Sequence, residues 1–281
     1  MSLDPQTLGR LPHVEGVLNY LGPMTERPHR YTYDPPPGMP DTNAIYAPVS
    51  APIHNLRPIA GTLSLDAEGV RLLRSPSALR DFDDATTVER IYYPEIQRLV
   101  AETAGVERVV VFDHTIRRRL GREKDRAGGP SREPVPRVHN DYTERSGPQR
   151  VRDLMGEEAD ALLRRRFAII NVWRPIVAPL LDAPLAVCDA SSVAAEDFQT
   201  MDLLYRDRTG EIYVVRPSER HRWLYAPAMA ADEVLLFKCY DSQNAGTARF
   251  APHSAFNDPT APEDRLPRAS IEARALAFFA A

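Results

Sequence analysis

FAIINVWRPI (167–176), PLAVCDASSV (184–193), EIYVVRP (211–217), HRWLYAP (221–227), EVLLFKCYDS (233–242), ARFAPHSAF (248–256) and RASIEARALAFF (268–279) are seven apolar runs rich in β-branched and aromatic residues. Pro, Gly, Asp or Asn separates them at short spacing, which is the signature of consecutive strands. A further short strand is expected near residue 138. Eight strands of this kind predict a mainly β chain with flanking helices, built on a double-stranded β-helix (jelly roll, cupin-like) core. We expect one domain over 1–281, with residues 131–281 as the barrel and 1–130 as an N-terminal extension packed on it.

Outward from that core the texture is less regular. Residues 1–60 are rich in Pro, Tyr and His and read as an extended arm. LSLDAEGVRLL (63–73) reads as a hairpin with Gly69 near its turn. YYPEIQRLVAETAG (92–105) reads as a helix, with Ile96, Leu99 and Val100 on one face and Gly105 as its stop. VERVVVFDHTI (106–116) reads as a buried strand, and VRDLMGEEADALLRRR (151–166) as a surface helix. Between them, 117–134 reads as a charged loop or lid. Arg117, Arg118, Arg119, Arg122, Lys124 and Arg126 make it basic enough to meet an acidic partner.

Composition narrows the function. The 281 residues are 43% hydrophobic and 26% charged, as in ordinary globular proteins. A formal net charge of -4 argues against a generic nucleic-acid binder. Mean hydropathy is -0.38 and no apolar run reaches about 18 residues, so no membrane span is expected. The first residues lack a basic-then-apolar signal pattern, so the cytoplasm is the expected compartment. Two cysteines, Cys188 and Cys239, exclude a disulfide scaffold and a four-cysteine zinc site, and read as strand core. GxGxxG, GxxxxGK, GxSxG and HExxH are all absent.

His139-Asn140-Asp141 is an HxD. On a strand, positions i and i+2 face one way, so an imidazole and a carboxylate converge. A third ligand has to come from a distant strand. His253 is in place on the next-to-last strand, with His221 and His114 as competitors. Two imidazoles and a carboxylate make the facial triad of non-heme Fe(II) oxygenases, which leaves three coordination positions open. On the last strand Arg268, Ser270 and Arg274 alternate onto one face. An arginine fork with a neighbouring hydroxyl suits a carboxylate. Lys238, within an apolar strand, is a rival anchor unless Asp241 is its partner.

HNDYT, INVWRPI, PLAVCDASSV, HRWLYAPAMAADEVLLFKCYDS, PHSAF and PRASIEARAL, with YYPEI and VVVFDHTIRRR upstream, together resemble the non-heme iron hydroxylase/desaturase family. That family includes the cephamycin C-7 hydroxylase component and the fungal hydroxylase/desaturases of secondary metabolism. The resemblance covers roughly residues 25–279. It implies an Fe(II)- and 2-oxoglutarate-dependent oxygenase that uses O2, with the metal on His139, Asp141 and His253. It puts 2-oxoglutarate on Arg268, with Ser270 and Arg274 as further contacts. Asp141 is present where halogenases of the wider superfamily have a small residue, so hydroxylation, desaturation or ring formation is implied. The substrate is expected to be a small natural-product intermediate, anionic or amino-acid-derived.

Further residues follow from strand parity. If Asn171 and Trp173 face inward, Asn171 bonds the cosubstrate and Trp173 walls the substrate pocket; otherwise Arg174 lines it. Tyr142, His221 and Trp223 are the other substrate-side candidates. Two alternatives stay open: an Fe(II) oxygenase of the same fold without 2-oxoglutarate, and a non-catalytic binding barrel. A zinc hydrolase would need Glu144 as a base near the metal.

Overall fold

A computed structural model describes residues 3–120 and 132–280. The Pro-rich arm is not loose chain but supplies β1 (His13–Leu21), β2 (His29–Tyr31) and β3 (Tyr46–Asn55). β1 and β3 pair antiparallel from His13 opposite His54 to Leu21 opposite Tyr46. β4 (Val70–Arg74) and β5 (Arg108–Arg118) lie on either side of the helix Tyr93–Ala104. That helix stops at Gly105, whose φ of 64° is left-handed and whose N–H bonds the Ala101 carbonyl.

β6 (His139–Asn140) is followed by a helix, Ser146–Met155. Then come β7 (Phe167–Pro175), β8 (Leu185–Cys188), β9 (Phe198–Leu204) and β10 (Thr209–Val215). β11 (Trp223–Tyr225), β12 (Glu233–Asp241), β13 (His253–Ala255) and β14 (Ala269–Phe278) complete the chain. One sheet runs β1-β3-β11-β8-β13-β6-β10-β9-β2 and the other β4-β12-β7-β14-β5. Together they form the expected double-stranded β-helix.

The five-stranded sheet is buried on both faces. Phe167, Ile169, Trp173, Leu235, Phe237 and Leu276 belong to the barrel interior. Ala168, Ile170, Val172, Leu236, Ile271 and Ala273 face the helix, where Tyr92, Ile96 and Val100 cover them. Burying each large apolar side chain contributes roughly 1.5–3 kcal/mol, so both faces hold the sheet in place.

Several expectations need correction. Residues 63–73 are not a hairpin: Ser64–Gly69 is a turn closed by the Gly69 N–H to Ser64 carbonyl bond (3.0 Å), and β4 pairs with the distant β12, Leu72 opposite Leu235. The long-range ladder pairs all five residues of β4, from Val70 opposite Phe237 to Arg74 opposite Glu233. Only 253–255 of the 248–256 run is strand. The helix expected over 151–166 starts at Ser146 and breaks at Gly156, where φ is 52°, before a second short helix at Ala159–Leu163. β9 was not foreseen. Arg117 and Arg118 extend β5, while Arg122, Lys124 and Arg126 lie outside the described residues. No helix among the described residues is long and apolar enough to cross a membrane.

Candidate metal centre

His139 and His253 stand opposite each other on β6 and β13, so both imidazoles project into the barrel together. Their ring centroids are 4.4 Å apart. Asp141 follows one residue after β6. Its Oδ1 lies 3.6 Å from His139 Nε2 and 3.9 Å from His253 Nε2. Ligand atoms of the three residues all lie within 4.8 Å of one another. His139 Nδ1–H donates to the Arg137 carbonyl (2.9 Å) and His253 Nδ1–H to the Ala251 carbonyl (3.2 Å). Those bonds fix the tautomers and turn both Nε2 lone pairs to the shared point. Burial, then the neighbouring His253, pushes the His139 imidazole well below its ordinary pKa and keeps it neutral.

Asp141 divides its carboxylate. Oδ2 accepts from Asn171 Nδ2 (2.8 Å) and Arg274 Nε (3.1 Å), while Oδ1 faces the histidines. Burial alone would raise its pKa, but the Arg274 charge and the two histidines hold it far below the usual carboxylate range. Two imidazole nitrogens and one carboxylate oxygen at a single point are the donor set of a non-heme Fe(II) centre. The residues present fit that metal.

Arg268 is buried in a small cavity that it lines with His139, His253, Arg117 and Glu272. Its Nε donates to Ser270 Oγ (3.0 Å) and its Nη1 to the Ala183 carbonyl (2.7 Å), and the guanidinium lies 4.9 Å from the centre of the Trp173 ring. Burial pulls its pKa down to about 9, as expected for a cation without an ion-pair partner at contact. Asn171 and Trp173 both face inward, and among the described residues Asn171 Oδ1 and Trp173 Nε1 have no hydrogen-bond partner.

The other sequence candidates separate cleanly. Arg274 is engaged by Asp141, by Asp113 (2.9 Å) and by Glu272 (2.6 Å). Arg174 faces the opposite side of β7, bonded to the carbonyls of Ser75 (2.5 Å) and Ala231 (2.9 Å). Lys238 pairs with Asp241 and Asp66, each at 2.7 Å. His221 lies between Tyr20 Oη (2.9 Å) and Asp197 (3.2 Å), and Trp223 Nε1 donates to the same tyrosine (2.7 Å). Neither lines the metal cavity, and His114 bonds Tyr93 Oη instead. Glu144 is ion-paired to Arg249. Tyr142 lines a cavity of about 510 Å³ over the centre, together with His139 and Asp141. Sequence reasoning missed Glu272, although its parity with Arg268, Ser270 and Arg274 points it inward.

The double-stranded β-helix and its two-histidine, one-carboxylate centre define a non-heme iron oxygenase. The chain belongs to the family described as the oxidoreductase/YMDC permease-like domain, whose profile matches residues 18–278. The Fe(II)/2-oxoglutarate-dependent dioxygenase nvfI of Aspergillus novofumigatus is 33% identical over 255 residues, 88% of this chain and 90% of that protein. The hydroxylase/desaturase efuI of Hormonema carpetanum is 33% identical over 247 residues, 81% and 82% of the two chains. Among solved structures, the iron and alpha-ketoglutarate-dependent endoperoxidase NvfI superposes with a TM-score of 0.86 at 29% identity, covering 96% of this chain and 99% of its own.

Proposed function

We propose that this chain hydroxylates, desaturates or cyclises a small natural-product intermediate at His139, Asp141 and His253, with Arg268 holding the far carboxylate of 2-oxoglutarate. The enzyme is a dioxygenase, and Fe(II), 2-oxoglutarate and O2 are its metal and cosubstrates. The meeting of three ligand atoms within 4.8 Å carries this reading. When bound, the iron couples oxidative decarboxylation of 2-oxoglutarate to succinate and CO2 with removal of a substrate hydrogen.

The chain's own residues do the rest. His139 and His253 turn their Nε2 atoms to the shared point because their Nδ1–H groups are tied to carbonyls. Asn171 and Arg274 hold one oxygen of Asp141 so that the other faces the metal. Arg268 and Ser270 present a fork and a hydroxyl to a carboxylate. Trp173 and Phe237, the latter 4.6 Å from the His253 ring, keep water from that side of the centre.

The finer reading is an anionic or amino-acid-derived substrate. Seven arginines against four carboxylates among the described lining of the 510 Å³ cavity support it. The same proposal treats residues 1–281 as one oxygenase unit, with 1–130 packed on a 131–281 core; β3 beside β11 and β5 beside β14 support that. It also puts the enzyme in the cytoplasm, where the buried free thiols of Cys188 and Cys239 are at home. The test is incubation with Fe(II), ascorbate and 2-oxoglutarate. Succinate release that depends on a candidate metabolite, with an oxidised product by mass spectrometry, is expected. Equal activity of His139→Ala or His253→Ala would remove the assignment.

A further inference from the structure

We propose that Arg150 is the specificity residue for a carboxylate on the molecule oxidised at the metal centre. This rests on the oxygenase reading above and assigns the substrate side of the same site. Arg150 lies on the helix Ser146–Met155, which starts five residues after Asp141. The helix is docked tightly: a Cβ on Gly147 would come within 2.5 Å of the Tyr240 ring. Arg150 therefore has a fixed place on the wall of the metal cavity, beside Tyr142. Its guanidinium sits 5.5 Å from the centre of the Phe112 ring.

Among the described residues no carboxylate pairs with this side chain. Arg150 is half-buried, its Nε is enclosed, and that atom has no hydrogen-bond partner. Three other arginines on the wall are engaged. Arg274 has three carboxylates and Arg145 has Glu211. Arg117 bonds the Glu133 carbonyl. An enclosed donor left unmet costs stability, and a ligand that brings an acceptor and the opposite charge offsets that cost. The Nε–H and the adjacent Nη–H form the parallel pair that matches the two oxygens of a carboxylate. On the proposed function the cosubstrate takes Arg268, in the small cavity that adjoins this one through Arg117, Val135 and His139.

The test uses the full chain loaded with Fe(II) and saturating 2-oxoglutarate, without oxygen. Two fluorine-labelled probes, 4-(trifluoromethyl)benzoate and its neutral amide, are titrated and followed by fluorine NMR, where the paramagnetic iron broadens a probe bound close to it. Wild type is expected to hold the carboxylate about tenfold or more tighter than the amide. Arg150→Gln should bring that ratio to about one, and Arg150→Lys, which keeps the charge and loses the fork, should fall between. The visible absorbance that 2-oxoglutarate gives with Fe(II) should be equal in all three. Its absence from wild type would defeat the oxygenase reading itself. If Arg150→Gln fails to fold, Arg150→Lys decides. An unchanged ratio in a folded variant, or a wild type that binds both probes equally or neither, overturns the proposal.

Discussion

Asp141 gives one oxygen to the centre and the other to Asn171 and Arg274, so those two residues aim a ligand without touching the metal. Removing either should loosen the carboxylate. Asn171→Ala and Arg274→Gln are expected to weaken iron binding about ten- to a hundredfold, measured by metal titration, with a smaller change in KM for 2-oxoglutarate. Arg268→Ala should do the reverse: KM for 2-oxoglutarate rises about tenfold or more in a succinate assay while iron affinity holds. The ligand triad was legible because strand alternation aligns His139 with Asp141 and the barrel order brings in His253. Arg268 and Arg274 were not separable that way. They share one parity, Arg268 just before β14 and Arg274 on it, and the carboxylates around Arg274 tell them apart.

On β7 every position is buried, so the period-two signal that tells inside from outside is missing. Sequence therefore left Asn171 and Trp173 against Arg174 as a choice, and the layering of the two sheets decides it. Arg174→Met should destabilise the fold by about 1–2 kcal/mol, because two partly buried carbonyls lose their donor. Denaturation should report that loss while KM for 2-oxoglutarate stays put. The Pro-rich arm was opaque for another reason: β3 carries Pro48 and Pro52, which suppress strand propensity, and its pairing with β1 and β11 restores order. β12 offers an acid test. Burial would raise the Asp66 pKa, but Lys238, Arg166 and Thr247 overcome it and bring it down to about 2 from an ordinary 3.8. A lowered folded-state pKa stabilises above the ordinary value and stops doing so as pH falls through the folded one. The stability gap between wild type and Asp66→Asn should thus close as pH drops from about 4 to about 2, read from denaturant midpoints.

For the molecule as a whole, iron binds the folded barrel and not the open chain, so it should stabilise by mass action. At a hundredfold excess over Kd the gain is about 2.7 kcal/mol. Thermal melts should rise with Fe(II) in wild type, fall with a chelator, and ignore both in His139→Ala. The strands that carry the histidines are very short, two residues in β6 and three in β13. They nonetheless pair directly, although more than a hundred residues separate them in sequence. A coordinated ion there acts as a reversible cross-link, closing a long loop much as a disulfide would without needing an oxidant. Amide hydrogen exchange at Ser254 and Asn140 should then slow more on metal addition than exchange in the long ladder of β5 and β14, so loading the cofactor is also the final fastening of the polypeptide.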